Sequence, residues 1–176
     1  EENKNILIYQ GKFHKGRGIS FSIQCMKELN DAVLVLIGDG PRKNKYIEIA
    51  QRYQVEDKIF FVDAVPYKEL SKFSSDAYIG LSMIQPISKS YEHALPNKLF
   101  EYAVTGIPSI CSNLTAMKDM VTQYKTGIAI EHNNKRAFIE AYKKIMENYN
   151  QYILSEKKRQ DLLWINNNNI SHIIHE

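Results

Sequence analysis

Short apolar runs alternate along this chain with longer segments in which apolar residues recur every three or four positions. The runs predict buried strands, and the spaced patterns predict amphipathic helices. The strongest run is Ala-Val-Leu-Val-Leu-Ile at residues 32–37, a composition expected of a strand that is covered on both faces. The predicted strands are residues 6–9, 32–37, 58–62, 77–82, 107–111 and 127–130.

The spaced patterns predict a helix after every strand except the fifth. Phe138, Ala141 and Ile145, for example, are in helical register. Strands that alternate with helices imply right-handed crossovers and a parallel sheet covered on both faces, which is an α/β, Rossmann-like fold. Ligands of such sheets bind beyond the carboxyl ends of the strands. The predicted helices are residues 19–29, 46–53, 67–73, 96–106, 134–149 and 152–164.

The length and charge of the chain fit one ordinary globular domain. The chain has 176 residues and a formal net charge of +3, which gives no indication of a nucleic-acid partner. We assign residues 1–165 to the domain and residues 166–176 to a polar tail. Two cysteines with no disulfide framework, and no apolar run long enough to span a membrane, lead us to expect a cytoplasmic location.

The most informative stretch of the chain runs from Ser90 to Ser112. Pro96 suits the first turn of a helix, and Gly106 is placed to end that helix in a left-handed cap. Lys98 and Glu101 would be neighbours on one face. The amides and dipole of the helix start, together with Lys98, would favour a phosphate, and Glu101 would accept from ribose hydroxyls. A surface helix with a solvated Lys–Glu pair explains this stretch equally well.

A second candidate is the loop from Gly11 to Gly18, which places Lys12, Lys15 and Arg17 between a strand and a helix start. Its glycines would let backbone amides approach an anion, and its cations would add charge-assisted hydrogen bonds. The loop is neither a P-loop nor a complete dinucleotide fingerprint. We expect it to bind phosphate, with a basic surface loop as the alternative.

Metal chemistry has little support in the sequence. The five histidines show no spacing typical of a metal site, and no Asp-x-Asp pair is present to hold a divalent ion on a diphosphate. We therefore predict a site without a bound metal. The Gly38-Asp39-Gly40-Pro41 segment by itself indicates only a turn.

Taken together, these segments resemble the C-terminal, donor-binding domain of the GT-B glycosyltransferases. The closest resemblance is to the large retaining family 4, in its polysaccharide-assembly branch, and it covers nearly the whole chain. Its most specific part is Leu-Pro-Asn-Lys-Leu-Phe-Glu-Tyr from Leu95, followed by Gly-Ile-Pro from Gly106. The Gly-Lys-Phe at Gly11, the turn at Gly38 and the Val-Pro at Val65 match further family segments.

The resemblance implies a retaining transferase that takes a nucleoside diphosphate sugar, usually a UDP-sugar, and needs no metal. It implies that Lys12 and Arg17 are catalytic, because they contact the diphosphate and stabilise the leaving nucleotide. Glu101 would bind the ribose. The full set of implied donor-binding residues is Gly11, Gly16, Gly38, Val65, Glu92, His93, Pro96, Asn97, Lys98, Leu99 and Glu101.

The sequence departs from the family pattern at several of these positions. Lys12 stands where the family has arginine, and Arg17 stands where it has lysine, so the two cations are exchanged in type. The family also carries a glutamate eight residues before the equivalent of Glu101. Here that position is His93, and Glu92 lies one residue away. Either residue would then take part in sugar selection.

The resemblance also implies a missing partner domain. A GT-B enzyme binds its donor in a cleft between two domains, and the first of these supplies most contacts to a glycan or lipid-linked acceptor. We expect this chain to be the second domain alone, able to bind nucleotide but inactive without the first. The whole enzyme would assemble bacterial capsule, O-antigen or exopolysaccharide, with possible peripheral association at the cytoplasmic face of the inner membrane.

Two alternatives remain open at this point. One is a nucleotide-sugar epimerase of GT-B architecture, which would need further acid–base side chains in the cleft. The other is a non-catalytic module that binds nucleotide or docks a protein. It would be favoured if Lys12, Arg17 and Glu101 could be replaced without loss of any ligand. A dehydrogenase fits less well, because the dinucleotide fingerprint is incomplete.

Overall fold

A six-stranded sheet, parallel throughout, forms the centre of the protein in a computed structural model that describes residues 4–163. The strand order is β3-β2-β1-β4-β5-β6. This arrangement confirms the predicted Rossmann-like class. The strands are β1 Asn5–Gln10, β2 Ala32–Ile37, β3 Ile59–Val62, β4 Ile79–Ser82, β5 Ser109–Ser112 and β6 Gly127–Ile130.

Helices cover both faces of the sheet, and each face has its own core. Ile23, Leu34 and Phe138 belong to the core under α1, α2 and α7, whereas Leu99 and Met117 belong to the core under α5 and α6. The helices are α1 Ile19–Cys25, α2 Lys43–Tyr53, α3 Tyr67–Ser75, α4 Lys89–Glu92, α5 Asn97–Thr105, α6 Thr115–Tyr124 and α7 Lys135–Glu147, followed by a helix over residues 156–163.

The prediction of the last helix was wrong at its start. Residues Tyr149–Tyr152 form a 3₁₀ turn, and the helix begins only at residue 156. Tyr152 packs against the first core and Leu154 lies in the second, so the chain must cross from one face to the other between them. Ile153 is extended, with φ −102° and ψ 128°, and makes that crossing. The predicted end at Trp164 and the polar tail lie outside the described residues.

The candidate segments meet where the chain reverses its direction across the sheet. Strands β1 and β4 are neighbours, but the chain leaves them toward opposite edges, which opens a crevice at their carboxyl ends. The loop after β1 and the loop after β4 touch there, because the Gln85 amide donates to the Gly16 carbonyl at 2.8 Å. The fold therefore places both loops where a parallel sheet binds its ligands.

Gly18 holds this contact at close range. It precedes α1 with φ +75°, and a Cβ at this position would overlap the Met83 carbonyl oxygen. The loop after β4 could not approach a residue with a side chain, so both the backbone angle and the space require glycine.

We predict that Gly18→Ala lowers the free energy of unfolding by about 3 kcal/mol or more, because it adds a backbone overlap to a strained φ. Gly106→Ala is the matched control, since Gly106 has a similar φ of +89° and its Cβ would meet only the flexible Arg159 guanidinium at 2.9 Å. For Gly106→Ala we expect the free energy of unfolding to fall by about 1–2 kcal/mol. Urea unfolding measures both, and equal losses would contradict the close packing of the two loops.

Candidate functional site

Lys98 is the most unusual residue at the carboxyl edge of the sheet. It is the second residue of α5, and the residue is only 9% exposed. Its Nζ lies 3.9 Å from the centroid of the Tyr9 ring, a cation–π contact. Among residues 4–163 no carboxylate forms an ion pair with it. The alternative of a solvated surface pair is therefore wrong for Lys98.

Burial and charge together shift the protonation of this amine. The pKa of Lys98 is lowered to about 7, chiefly by desolvation and then by the positive charge of Arg17, while the negative charge of Glu101 opposes both. A buried amine that is half protonated near neutral pH and faces another cation is poised to receive an anion, because a negative ligand would stabilise its charged form.

Gly11 is required by its backbone angle. Its φ is +132°, a conformation that residues with a side chain rarely adopt. A Cβ here would make only ordinary van der Waals contacts, at 3.4 Å from the Lys98 Nζ and 3.5 Å from the Tyr9 hydroxyl. The loop after β1 therefore passes beside the amine of Lys98.

Arg17 reaches the same crevice from the end of the loop. Its guanidinium lies 5.0 Å from the centroid of the Tyr91 ring, and its buried Nε has no hydrogen-bond partner within the described part of the chain. Gly16 is buried before it, and a Cβ on Gly16 would overlap Ile87 and Tyr91. The segment after β4 thus packs over the loop and holds Arg17 beside Lys98.

The start of α5 adds unpaired backbone donors. Pro96 precedes the helix, and its carbonyl accepts from the Leu99 amide at 3.1 Å. The amides of Asn97 and Lys98 make no hydrogen bond within residues 4–163. The Leu99 side chain is buried in the second core, so its contribution to a ligand would be limited to its backbone.

Glu101 lies one turn further along α5 and is held by a polar network. The Gln10 Nε2 donates to Glu101 Oε2, and the Ser74 hydroxyl donates to Gln10 Oε1 at 2.9 Å. Tyr67 lies beside the same carboxylate, and the pKa of Tyr67 is raised by desolvation and by the charge of Glu101. A cavity of about 220 Å³ opens here between α3 and α5, with Phe100 in its wall.

Lys12 is directed elsewhere. Its Nζ forms an ion pair of 2.6 Å with Asp39 in the turn after β2, and its side chain is 65% exposed. That turn packs tightly on the loop after β1, because a Cβ on Gly38 would overlap the Gly11 carbonyl oxygen. The structure therefore brings Lys98 and Arg17 together and leaves Lys12 at the rim.

The other predicted residues are at the periphery. Glu92 and His93 are exposed at the end of α4, and neither side chain makes a hydrogen bond within the described residues. Val65 is half-buried against the second core. The sequence analysis missed Tyr9, Gln10, Ser74 and Tyr91; a glutamine that ends an apolar strand was the one available signal for the network.

Residues 4–163 contain no group of three or more His, Cys, Asp or Glu side chains that could hold a metal ion. Within the same residues, no helix has the length and apolar composition needed to cross a bilayer.

Comparison with known proteins gives a consistent picture. Residues 1–162 match the family described as "Glycosyl transferases group 1". A curated relative, the lipopolysaccharide core biosynthesis glycosyltransferase LpsD of Rhizobium meliloti (strain 1021), is 25% identical over 128 residues, covering 72% of this chain and 34% of that protein. The chain spans about a third of the length of the curated relatives it matches.

Two solved structures share the fold at low sequence identity. Anabaena Alr3699/HepE, in complex with UDP-glucose, has a TM-score of 0.76 and 10% identity, covering 99% of this chain and 50% of that one. The C-terminal domain of the glycosyl transferase group 1 family protein LpcC from Francisella tularensis has a TM-score of 0.69 and 15% identity, covering 92% and 85%. The predicted resemblance to a GT-B donor domain is confirmed at the level of fold and family.

We predict that Lys98→Met raises the free energy of unfolding at pH 7 by about 1–4 kcal/mol, because it removes a buried charge. The unfolded chain keeps Lys98 protonated up to about pH 10.5, whereas the folded state releases that proton from about pH 7. Between these two pH values the unfolded state binds more protons than the folded state, so the free energy of unfolding of the wild type increases with pH. The advantage of Lys98→Met should be largest below pH 7 and shrink toward pH 10.

Urea unfolding at several pH values measures this, with exposed Lys118→Met on α6 as the control that should show no such trend. A Lys98→Met protein that is less stable than wild type throughout would contradict a destabilising buried charge.

Proposed function

The chain belongs to the glycosyl transferases group 1 family, and from that premise we propose that it is the donor-binding domain of a retaining glycosyltransferase that uses a UDP-sugar. The observation that carries the proposal is Lys98, a buried amine without an ion-pair partner among the described residues, at a helix start beside Arg17. A nucleoside diphosphate is an anion whose charge complements these two cations.

The diphosphate would bind between Lys98, Arg17 and the free amides of Asn97 and Lys98. Helix N-termini favour phosphate through both their dipole and their N–H groups. A nucleoside diphosphate is also the leaving group in sugar transfer, so cations fixed in place before the reaction stabilise the charge that develops on it. Two cations at the diphosphate supply the role that a metal has in other enzymes, which supports metal-independent transfer.

Lys12 would join the diphosphate by exchanging partners. Its ion pair with Asp39 is exposed on both sides, and such pairs contribute about 0–1 kcal/mol, so a phosphate could replace the carboxylate at small cost. Gly11 and Gly38 would keep the backbone close to the ligand, and Gly16 would hold Arg17 in position.

The nucleoside would extend from the diphosphate toward Glu101. The carboxylate is an acceptor of the kind that a pair of ribose hydroxyls requires. The base would lie near Val65, where the chain leaves β3 for α3. The UDP-glucose complex of the Anabaena neighbour supports uridine as the base. Glu92 and His93 would face the sugar from the segment after β4.

The whole protein would place a second, N-terminal domain over this site. The relatives are about three times as long as the matched region, and an isolated C-terminal domain of a family member covers most of this chain. We infer that residues 1–165 form one donor domain and that the partner domain binds the acceptor. The names of the relatives support a role in bacterial surface polysaccharide assembly. We propose that the acceptor is a glycan or lipid-linked molecule, reached at the cytoplasmic face of the membrane.

We predict that the chain binds UDP more tightly than GDP or ADP, without metal, in calorimetric titration. Arg17→Ala and Glu101→Ala should each weaken UDP binding roughly tenfold or more, because each removes a charged side chain that would hydrogen-bond to the ligand. Lys45→Ala, an exposed lysine paired with Glu48 on α2, is the control and should bind as wild type does.

Failure of the wild-type chain to bind any nucleotide would contradict a preformed donor site. Binding that survives both substitutions would place the nucleotide elsewhere. Transfer of sugar by this chain alone would show that no second domain is required.

We further predict that UDP binding takes up a proton above pH 7. The diphosphate favours the charged form of Lys98 and raises its pKa, so the bound state holds a proton that the free protein has lost. Affinity should fall as pH rises from 7 to 9, by up to about tenfold per pH unit. Titrations at pH 8 in buffers of different ionisation enthalpy report the uptake directly, and it should vanish in Lys98→Met.

A further inference from the structure

Gln10 is a polar side chain in a position that an apolar residue would ordinarily occupy. It ends the apolar strand β1, and the residue is 3% exposed. Burial of an amide is unfavourable unless its groups are hydrogen-bonded. Both groups of Gln10 are bonded, the nitrogen to Glu101 and the oxygen to Ser74.

The direction of these hydrogen bonds follows from their chemistry. An ionised carboxylate only accepts, so the amide nitrogen of Gln10 must face Glu101. The amide oxygen then faces Ser74, whose hydroxyl must be the donor. Ser74 is buried, and the Leu70 carbonyl, 3.0 Å from its oxygen and one turn earlier in α3, is the alternative acceptor for the single hydroxyl proton.

The network ties three separate elements to one carboxylate. Ser74 belongs to α3, Gln10 to β1 and Glu101 to α5. The last torsion of a glutamate side chain is soft, so an unassisted carboxylate would rotate over a broad range. The bond from Gln10 anchors Glu101 Oε2 to β1, one of the two central strands. Tyr67 also lies beside this carboxylate, which has further lone pairs that can accept from a ligand.

We propose that Gln10, held by Ser74, is a positioning residue that sets the Glu101 carboxylate for the two ribose hydroxyls and so makes the site selective for ribonucleotides over deoxyribonucleotides. This inference rests on the proposed function. Gln10 does not touch the nucleotide, and it acts only through Glu101.

The test compares the affinities of UDP and 2′-deoxy-UDP by calorimetry. Wild type should prefer UDP. Gln10→Met, which keeps the length of the side chain and removes its hydrogen bonds, should weaken UDP binding about tenfold and weaken 2′-deoxy-UDP, which keeps only the 3′-hydroxyl, by a smaller factor, so the preference shrinks. Ser74→Ala should reduce the preference in the same direction by a smaller factor, and it keeps the test available if Gln10→Met does not fold.

Two controls separate positioning from general damage. Ser75→Ala removes the neighbouring, exposed hydroxyl, which bonds to the Lys72 carbonyl alone among residues 4–163, and should change neither affinity. In a Glu101→Ala background, Gln10→Met should have no further effect on UDP binding, because the residue acts only through the carboxylate.

The outcomes distinguish this inference from the proposed function. If wild type prefers UDP and both Gln10→Met and Ser74→Ala keep that preference, the positioning role is overturned and the donor site stands. Equal weakening of UDP and 2′-deoxy-UDP would reduce Gln10 to a structural residue. If wild type binds neither nucleotide, the proposed function fails and this inference fails with it.

Discussion

Lys98 carries its amine into the crevice between β1 and β4, against the face of Tyr9, where the positive charge of Arg17 acts on it. Neither cation has an ion-pair partner among the described residues, and each repels the other. The surrounding packing overcomes that repulsion: the Gly18 contact holds the two loops together, and the ring of Tyr91 lies over Arg17. The affinity of the proposed site for an anion follows from these two positive charges being held in one crevice.

Ligand binding would reduce the electrostatic repulsion that folding imposes between Lys98 and Arg17. In the free protein, burial and then the charge of Arg17 lower the pKa of Lys98 to about 7, so loss of its proton relieves part of the repulsion. A diphosphate would restore that proton and neutralise both cations at once. Stability and binding therefore oppose each other at this position, as is common where a site is built before its ligand arrives.

The alternation of apolar runs and amphipathic segments was sufficient to predict the fold class, because each strand of a parallel sheet is buried locally and most helices show their own period; α6 was not predicted. The choice of Lys98 and Glu101 as candidate site residues was also accessible, from a helix start with a cation and a carboxylate. Their surroundings were not. The burial of Lys98 depends on Tyr9 and Gly11, far away in the chain, and the pairing of Lys12 with Asp39 depends on how two turns pack. The start of the last helix was missed because Ile153 must cross between two cores, a demand that no local pattern expresses.

The crossing at Ile153 also gives the last described helix a mechanical role. Leu162 shares a core with Leu99 of α5, the Arg159 guanidinium lies against Gly106 at the end of α5, and Leu163 lines the cavity beside Glu101. Residues 156–163 thus brace the helix that carries both Lys98 and Glu101 along its length. A shift of residues 156–163 would move α5 as a rigid body. The proposed phosphate contact of Lys98 and the proposed ribose contact of Glu101 would then change together.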